Sequence, residues 1–509
     1  MVVLLFGSIL CMYGASRINT WNGALEVSNV VVHGDETITA ILYKPRAIKD
    51  QAPGIVLAHG ISNSKEPQTG MALELAKHGY VTLSIDLVGH GKSSGALDGS
   101  DQSLGMIQAD QYLADLPFVS DSVGLVGHSL GAGVALYTSS QNVMVSGVVL
   151  IAGGLNQDTE SMMAQPKNLL VIIGEYDVLF DFDTLDERLE ATFPENTPKL
   201  NEINGDPAQG TMTMLLVPPT SHLLEPLDPS VVEAVVDWFN LINDIDADYS
   251  QTYLIREVLI FFAFISFIAA IVVGLSLKTV SMPQQVFDWR SGLVYSVVGF
   301  ITFLPAMLLG NYLPFPPQIF GSSIAWWLFI WGAIMYLLKS YWRKDESNLQ
   351  ITQNGFKIAL LFFLACYIFS SGLEYLFEFG YRLIVPIMRP LTLRRVQAFV
   401  MYLPFMLGHF YSESVWLKEN TGNLRGFAVS KLGLFTAIII IQYGGFYFLD
   451  SVLVAGFIGF ILEFLVAIVP MLLISVIITY YNQRNNQLGT SIILNALIFS
   501  WIAAGLFPY

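Results

Sequence analysis

Cysteine and charged residues are both scarce in this sequence. Only two of the 509 residues are cysteine, Cys11 and Cys366, and both lie in apolar segments. A disulfide framework is therefore excluded, as are metal sites built from C-x-x-C pairs. Charged residues make up 13% of the chain and hydrophobic residues 53%, with a mean hydropathy of +0.55. This balance is too apolar for a soluble protein and indicates several membrane spans.

Basic residues are the scarcer of the two charge types. The chain has 25 Lys and Arg against 41 Asp and Glu, and the acidic excess lies in residues 1–250. Residues 251–509 are sparsely charged and slightly basic. Nucleic-acid binding needs clustered Lys and Arg, so we expect no nucleic-acid partner. The charge pattern divides the chain into an acidic half and an apolar half.

The first sixteen residues form an apolar segment with no basic residue ahead of it. Gly14, Ala15 and Ser16 resemble the small residues at a signal-peptide cleavage site, so a cleaved signal peptide is one interpretation. We expect instead an uncleaved membrane anchor over residues 1–16, although a full span needs about 20 residues.

Residues 24–242 alternate strand-like and helix-like stretches. Helical patterns such as Gly70–His78 and Ser230–Leu241 separate short apolar runs. Such runs predict an α/β domain with a mostly parallel sheet and helices on both faces. The predicted strands are Ile38–Tyr43, Ile55–Ala58, Val81–Ile85, Val123–Val126, Gly147–Ile151, Leu169–Ile173 and Met212–Val217.

A polar linker at 243–253 precedes a second, polytopic all-α membrane domain over 254–509. The sequence predicts about eight membrane helices there, because long apolar runs follow one another. These runs are 254–277, 291–312, 320–339, 356–379, 396–411, 428–448, 452–480 and 488–507.

The basic residues between these runs predict an orientation. If the α/β domain lies outside, most of them fall in cytoplasmic loops, as the positive-inside rule requires. Arg17, Arg382, Arg389, Arg394 and Arg395 are the exceptions. We therefore expect an integral membrane protein with the α/β domain on the exterior face. The supporting bases are Lys278, Arg290, Lys339, Arg343, Lys344, Lys357, Lys418, Arg425, Lys431 and Arg484.

The stretch Gly127–Gly131 reads Gly-His-Ser-Leu-Gly between a strand pattern and a helix pattern. A G-x-S-x-G at a strand-to-helix turn is typical of the nucleophile elbow of α/β-hydrolases. The turn holds the serine in a strained conformation beside a helix N-terminus, which favours developing negative charge. Ser129 is the predicted nucleophile.

A serine nucleophile needs a base and an acid that orients the base. In this fold they follow the serine in the order acid, then histidine. Only His222 and His409 come after Ser129, and His409 lies in a membrane run, so His222 is the predicted base. Asp177 directly follows a strand and is the predicted acid, with Glu175, Asp181 and Asp183 as competitors and a helix N-cap as its alternative role.

An oxyanion hole needs two backbone N–H donors. We predict Leu130, the residue after the nucleophile, and Ile61, in the loop after an early strand. His59 opens that loop and is predicted to pack there rather than carry a proton.

These motifs together resemble the α/β-hydrolase superfamily, and within it the serine aminopeptidase-like and monoacylglycerol-lipase-like branch. The resemblance covers residues 30–242 and rests on five features: His59-Gly60, the Asp86–Ser93 stretch (DLVGHGKS), the Ser129 elbow, Gly174 with Asp177, and His222. It implies an acyl hydrolase without metal or organic cofactor. Many relatives carry a helical lid where this chain has only Gly153 to Lys167, so the site is expected to be open or covered by the membrane half.

Ionisable residues within membrane runs are costly and often functional. Three acids and bases, Glu374, Glu378 and Arg382, recur every four residues and would share one helix face, and His409 and Glu413 repeat that spacing. Glu463 lies within another run. These six residues predict either a polar cavity for a lipid headgroup or ion, or ion pairs that hold the helices together.

The sequence thus predicts a membrane-anchored serine hydrolase that cleaves a bulky or lipid-derived acyl ester and meets membrane lipids. An acyltransferase or peptidase on the same residues is one alternative. A transporter or complex subunit whose hydrolase fold only binds is another, from a different class.

Overall fold

The computed structural model describes most of the chain. The described residues are 1–141, 144–155, 166–177, 179–180, 182–246, 249–276, 286–342, 351–377, 381–382, 386–388, 391–417, 423–431, 433, 474–480, 482 and 488–509. They divide into two compact units. One contains Cys11–Phe261 together with Phe377–Pro386 and Pro508–Tyr509, and the other contains Met1–Leu10, Phe262–Leu376 and Ile387–Phe507.

The first of these units is built on an eight-stranded sheet with the strand order β1-β2-β4-β3-β5-β6-β7-β8. The pairs β1–β2 and β2–β4 are antiparallel, and all the other pairs are parallel. The strands are β1 (Leu25–Val32), β2 (Ile38–Pro45), β3 (Ala52–Ala58), β4 (Val81–Ile85), β5 (Val119–His128), β6 (Gly147–Ile151), β7 (Leu169–Ile172) and β8 (Thr213–Leu216). All seven predicted strands are present, and β1 is an eighth that the sequence analysis missed.

Helices cover both faces of the sheet, and each face has its own hydrophobic core. Successive residues of β3 point to opposite sides: Ile55 and Leu57 belong to the core under α2 and α6, while Val56 belongs to the core under α3, α4 and α5. The predicted fold class is confirmed. The helices are α1 (Val2–Asn19), α2 (Thr69–Lys77), α3 (Met106–Ala114), α4 (Leu130–Gln141), α5 (Leu185–Thr192) and α6 (Pro229–Asn243).

Long apolar helices make up most of the other described residues. They are α7 (Thr252–Ser276), α8 (Trp289–Tyr312), α9 (Gly321–Trp342), α10 (Gln353–Phe377), α11 (Leu393–Trp416) and α12 (Leu488–Leu506). A short ribbon pairs β9 (Tyr381–Arg382) with β10 (Pro386–Met388).

Among the described residues, five helices are long and apolar enough to cross a membrane: α1, α7, α9, α10 and α12. Helix α8 makes a sixth if its two parts, which meet at an angle of 42°, form one span. Helix α11 is not among them, and it carries Arg394, Arg395 and Glu413. Residues 452–473 of the predicted run 452–480 and most of the run 428–448 lie outside the described residues, so the count of eight stays a prediction.

Two expectations for the membrane half need correction. Glu374 and Arg382 do not share a helix face, because α10 ends at Phe377 and Arg382 lies on β9. The nearby Gly380, Pro386 and Pro390 disfavour a continuous helix. Lys431, counted above as a loop charge, is a helical residue with only 3% of its surface exposed.

Candidate active site

Ser129 lies at the sharp turn between β5 and α4. Its φ of 55° is in the left-handed region, which is uncommon for a residue other than glycine and stores strain. The turn is held from both sides: the N–H of Ser129 donates to the Ile151 carbonyl at 2.8 Å, and the N–H of Ala132 donates to the Ser129 carbonyl at 3.0 Å. The geometry is that of a nucleophile elbow.

The glycines of the elbow are required by close packing of backbone on backbone. A Cβ on Gly127 would lie 1.9 Å from the Gly131 carbonyl oxygen, and one on Gly131 would lie 2.6 Å from the Ala58 carbonyl oxygen. A side chain at either position would push α4 away from the sheet. This close approach of α4 to the sheet explains why glycine stands two residues before and two residues after Ser129.

The structure brings Asp177 and His222 together from loops that follow neighbouring parallel strands, β7 and β8. Asp177 Oδ2 accepts a hydrogen bond from His222 Nδ1 at 2.7 Å, and both residues are buried. The other carboxylate oxygen, Oδ1, accepts the N–H of Leu179 at 2.8 Å. An Nδ1–H that donates to a carboxylate leaves the Nε2 lone pair of His222 available as a base.

The competing acids lie elsewhere. Glu175 and Asp183 are exposed, and Asp181 lies outside the described residues.

The loops that carry Asp177 and His222 are also joined by backbone hydrogen bonds. The N–H of Glu175 donates to the Pro218 carbonyl, and the N–H of Tyr176 donates to the Thr220 carbonyl. These bonds hold the Asp177 loop alongside the segment that leads to His222.

Two further buried ionisable residues, His128 and Glu225, surround this pair. His128 Nε2 donates to the His222 carbonyl at 2.9 Å, and Glu225 Oε1 accepts the N–H of Gly174 at 2.6 Å. Burial lowers the pKa of His128 to about 3, so its ring is neutral. Sequence reasoning missed Glu225, because its partner Gly174 is distant in the sequence.

His128, His222 and Glu225 each offer a ligand atom within 4.8 Å of the others, close enough to hold a metal ion. However, His128 Nε2 and His222 Nδ1 already donate to the His222 carbonyl and to Asp177. A metal bound at these nitrogens would have to replace both hydrogen bonds, so we interpret the cluster as a hydrogen-bonded one.

The loop after β3, which contains Ile61, lies against the elbow. A Cβ on Gly60 would lie 3.1 Å from Ser129 Cβ. The His59 ring spans this loop: Nδ1 donates to the Gly60 carbonyl at 2.7 Å and Nε2 accepts the N–H of Leu87 at 3.2 Å. His59 thus packs and bridges loops, as the sequence predicted.

Asp86 organises the same region from the end of β4. Its carboxylate accepts the backbone N–H groups of Lys65 and Lys92, both at 2.9 Å, and the Lys65 Nζ at 2.5 Å. Asp86 and Lys65 are both buried, so each compensates the charge of the other. The Lys65 partner was not predicted from the sequence.

Two of the polar residues predicted in the membrane half, Glu413 and His409, form described side-chain contacts. Glu413 lies 2.9 Å from Lys431 Nζ and accepts a hydrogen bond from the Tyr295 hydroxyl, while Lys431 also donates to Ser475 at 2.6 Å. His409 Nδ1 donates to a backbone carbonyl at 3.1 Å. These contacts fit the expectation of ion pairs that hold helices together.

The other members of that predicted set are described only in part. Glu374 is half-buried near the end of α10, Arg382 is described only in its backbone, and Glu378 and Glu463 lie outside the described residues.

Comparison with known proteins agrees with this architecture. Residues 53–200 match the family model described as alpha/beta hydrolase fold. An uncharacterised protein of Mycobacterium tuberculosis is 33% identical over 115 residues, 22% of this chain and 32% of that protein. A non-heme chloroperoxidase of Streptomyces lividans is 30% identical over 135 residues, 24% of this chain and 46% of that protein. The chain thus spans about a third to a half of the length of these relatives.

Solved structures of low sequence identity also match part of the chain. An esterase of Pyrococcus furiosus is 18% identical, with a TM-score of 0.35, and the match covers 43% of this chain and 94% of the esterase. A dienelactone hydrolase of Anabaena variabilis is 20% identical, with a TM-score of 0.33, over 44% and 100%. The family match, the sheet order and the serine elbow agree, and they support a hydrolase. The N-terminal half of this chain therefore has the α/β hydrolase fold.

Proposed function

We propose that this protein is a membrane-anchored serine hydrolase that cleaves acyl esters with Ser129 as nucleophile, His222 as general base and Asp177 as the acid that orients it. The observation that carries the proposal is the 2.7 Å hydrogen bond between Asp177 and His222, in the domain whose β5–α4 turn holds Ser129 at a φ of 55°. The strained backbone of Ser129 costs stability, and strain of this kind clusters at functional sites.

The reaction follows from the protonation states. His222 Nε2 takes the proton of the Ser129 hydroxyl while the oxygen attacks the acyl carbonyl carbon, and the resulting imidazolium is stabilised by Asp177. The backbone N–H groups of Ile61 and Leu130 stabilise the negative oxygen of the tetrahedral intermediate. The intermediate collapses, the ester C–O bond breaks, and the leaving alcohol takes the proton from His222. Water then attacks the acyl-enzyme with His222 as the base, and the bond to Ser129 breaks as the serine oxygen takes the proton back.

We propose a lipid-derived or otherwise bulky ester as the substrate. Two large hydrophobic side chains support this choice: Tyr176, 60% exposed, neighbours Asp177, and Leu224, 44% exposed, follows His222 closely. Exposed apolar residues around a site favour an apolar ligand. The apolar helices α1 and α7, on either side of the α/β domain in sequence, would keep the site near a bilayer, with the domain on the exterior face.

Two alternative functions use the same domain differently. An acyltransferase would give product only when an acceptor alcohol or amine is present, and a peptidase would cleave amides at rates comparable to esters. A transporter or complex subunit that uses the hydrolase fold only for binding would need no reactive serine.

The proposal is tested with a fluorophosphonate probe on the full-length protein in detergent. We expect wild type to be labelled and Ser129→Ala to lose labelling entirely, because the serine oxygen is the atom that reacts. Ser100→Ala, at an exposed serine outside the elbow, is the matched control and should label as wild type does.

Labelling that survives in Ser129→Ala would contradict the assignment of the nucleophile. A folded wild-type protein without any labelling would contradict the hydrolase proposal and favour the binding subunit.

A further inference from the structure

Glu225 is a buried acid that the proposed reaction does not use. Its carboxyl group has no exposed surface, and its Oε1 accepts the N–H of Gly174, the residue that opens the Asp177 loop. Its own backbone N–H donates to the Ser221 carbonyl at 3.1 Å, just before His222. Glu225 therefore ties the loop of the acid to the loop of the base.

The second oxygen of Glu225 faces the elbow. Oε2 lies 3.4 Å from His128 Nε2, and His128 directly precedes Ser129 and donates to the carbonyl of His222. The carboxyl group is thus adjacent to each of the three segments that carry Ser129, Asp177 and His222. No other carboxyl group among the described residues is placed in this way.

We propose that Glu225 is a positioning residue for Asp177 and His222, and that it acts through a carboxyl group that is uncharged at neutral pH. The proposal rests on the function proposed above. The Gly174 position allows the contact, because a Cβ there would lie 2.9 Å from Glu225 Oε1 and 2.4 Å from the Thr220 carbonyl oxygen.

The surroundings explain why the carboxyl group keeps its proton. The ionisable groups that face it are His128 at the end of β5, Asp177 on the acid loop, His222 on its own loop and Asp228 at the start of α6. Burial, and then the negative charge of Asp177, raise the pKa of Glu225 to about 8. His128 is neutral and supplies no positive charge, and Oε2 has no hydrogen-bond partner among the described residues, so an anionic carboxylate would be an unpaired buried charge.

Loss of the proton from the Glu225 carboxyl group changes the protonation of His222, the proposed base. A negative charge on Glu225 favours the imidazolium form of His222, so the fraction of free base at a given pH falls when Glu225 ionises. The wild-type enzyme should therefore show a second inflection near pH 8 in its pH–rate profile, the pH at which Glu225 titrates.

The test compares Glu225→Gln and Glu225→Ala in the full-length protein, with the exposed Glu233→Gln on α6 as the matched control. The readout is the rate of fluorophosphonate labelling from pH 5.5 to 9.5. Glutamine is uncharged and can accept the Gly174 N–H, so we expect its rate at pH 7 to stay within about twofold of wild type, without the inflection near pH 8. Alanine should lower the rate about 10- to 100-fold at every pH, because misplacement of reacting groups is costly.

Three results would overturn the proposal: an alanine variant as fast as wild type, a glutamine variant as slow as a folded alanine variant at pH 7, or an inflection near pH 8 that persists in Glu225→Gln. The glutamine profile decides the question even if the alanine variant fails to fold.

Thermal unfolding separates failure of this inference from failure of the proposed function. A carboxyl group whose folded-state pKa is about 8, above the ordinary 4.5, binds more protons in the folded state between these two values. Its stabilising contribution is complete below pH 4.5 and is lost as the pH rises to 8. The melting temperature of Glu225→Gln should therefore rise relative to wild type over this window. A constant difference would contradict the uncharged carboxyl group even if no labelling is seen.

Discussion

The hydrogen bond from His222 to Asp177 determines which nitrogen of the imidazole can act as a base. In Asp177→Asn the amide can present its N–H₂ group to Nδ1, which favours the tautomer with the proton on Nε2 and removes the Nε2 lone pair that the proposed reaction requires. We expect labelling by a fluorophosphonate to slow by about 10⁴-fold. The exposed Asp183→Asn is the matched control. A loss smaller than tenfold in Asp177→Asn would mean that another acid orients His222.

The residues that carry recognisable local patterns could be found from the sequence, and their partners could not. The glycines on either side of Ser129 identify it as a candidate nucleophile. Asp177 and His222 are identified by their positions after predicted strands. Glu225 has no such pattern, since its function depends on Gly174 at the end of a different strand. Lys65 likewise acquires its role only when the loop after β3 meets the end of β4.

The strand-turn-helix element around Ser129 leaves no room for additional atoms. In Gly127→Ala the new methyl group would lie 1.9 Å from the Gly131 carbonyl oxygen, so β5 and α4 must separate. We expect the free energy of unfolding to fall by about 3 kcal/mol or more, at the upper end of overpacking effects, and labelling to be lost. Calorimetry and probe labelling check this.

A suitable control for that variant is Gly372→Ala on α10. Among the described residues, no atom other than those of the adjoining helix backbone lies within 4 Å of the Cβ that would be added there. An alanine at residue 127 tolerated as well as one at residue 372 would contradict the close approach of strand and helix.

Among the elements, the buried parallel strands were the most predictable, because strands covered on both faces appear as short continuous apolar runs. The strand β1 was missed for the opposite reason. It is an edge strand paired antiparallel to β2, and its burial alternates, with residues such as Glu26 and Val31 exposed. The apolar pattern of β1 in the sequence is therefore weaker than that of the buried parallel strands. Helices α3 and α5 are short, and the sequence analysis did not predict them individually.

At the scale of the whole molecule, Arg256 joins the α/β domain to both flanking apolar helices. It lies on α7, is fully buried, and its Nη1 donates to Asn19 at the end of α1 at 2.7 Å and to the Thr69 carbonyl of α2 at 3.2 Å. Replacing it with methionine keeps much of the apolar volume but removes every one of these donors. Buried acceptors left without partners cost about 1–3 kcal/mol.

We therefore expect Arg256→Met to lower the melting temperature of the full-length protein in detergent. Arg17→Met is the matched control, since Arg17 is exposed and donates only to a nearby backbone carbonyl among the contacts described for it. Equal melting temperatures for Arg256→Met and Arg17→Met would contradict a structural role for Arg256.

The same part of α7 also contacts the segment that follows His222. The hydroxyl of Tyr253, in the first turn of α7, donates to the Leu227 carbonyl at 2.9 Å, and Leu227 lies in the turn that begins with Glu225. A helix long enough to span a bilayer tilts as the thickness of that bilayer changes. A tilt that moves Tyr253 would pull on the turn behind His222. In the proposed hydrolase the rate would then depend on the thickness of the surrounding lipid, and the composition of the membrane would itself act as an effector.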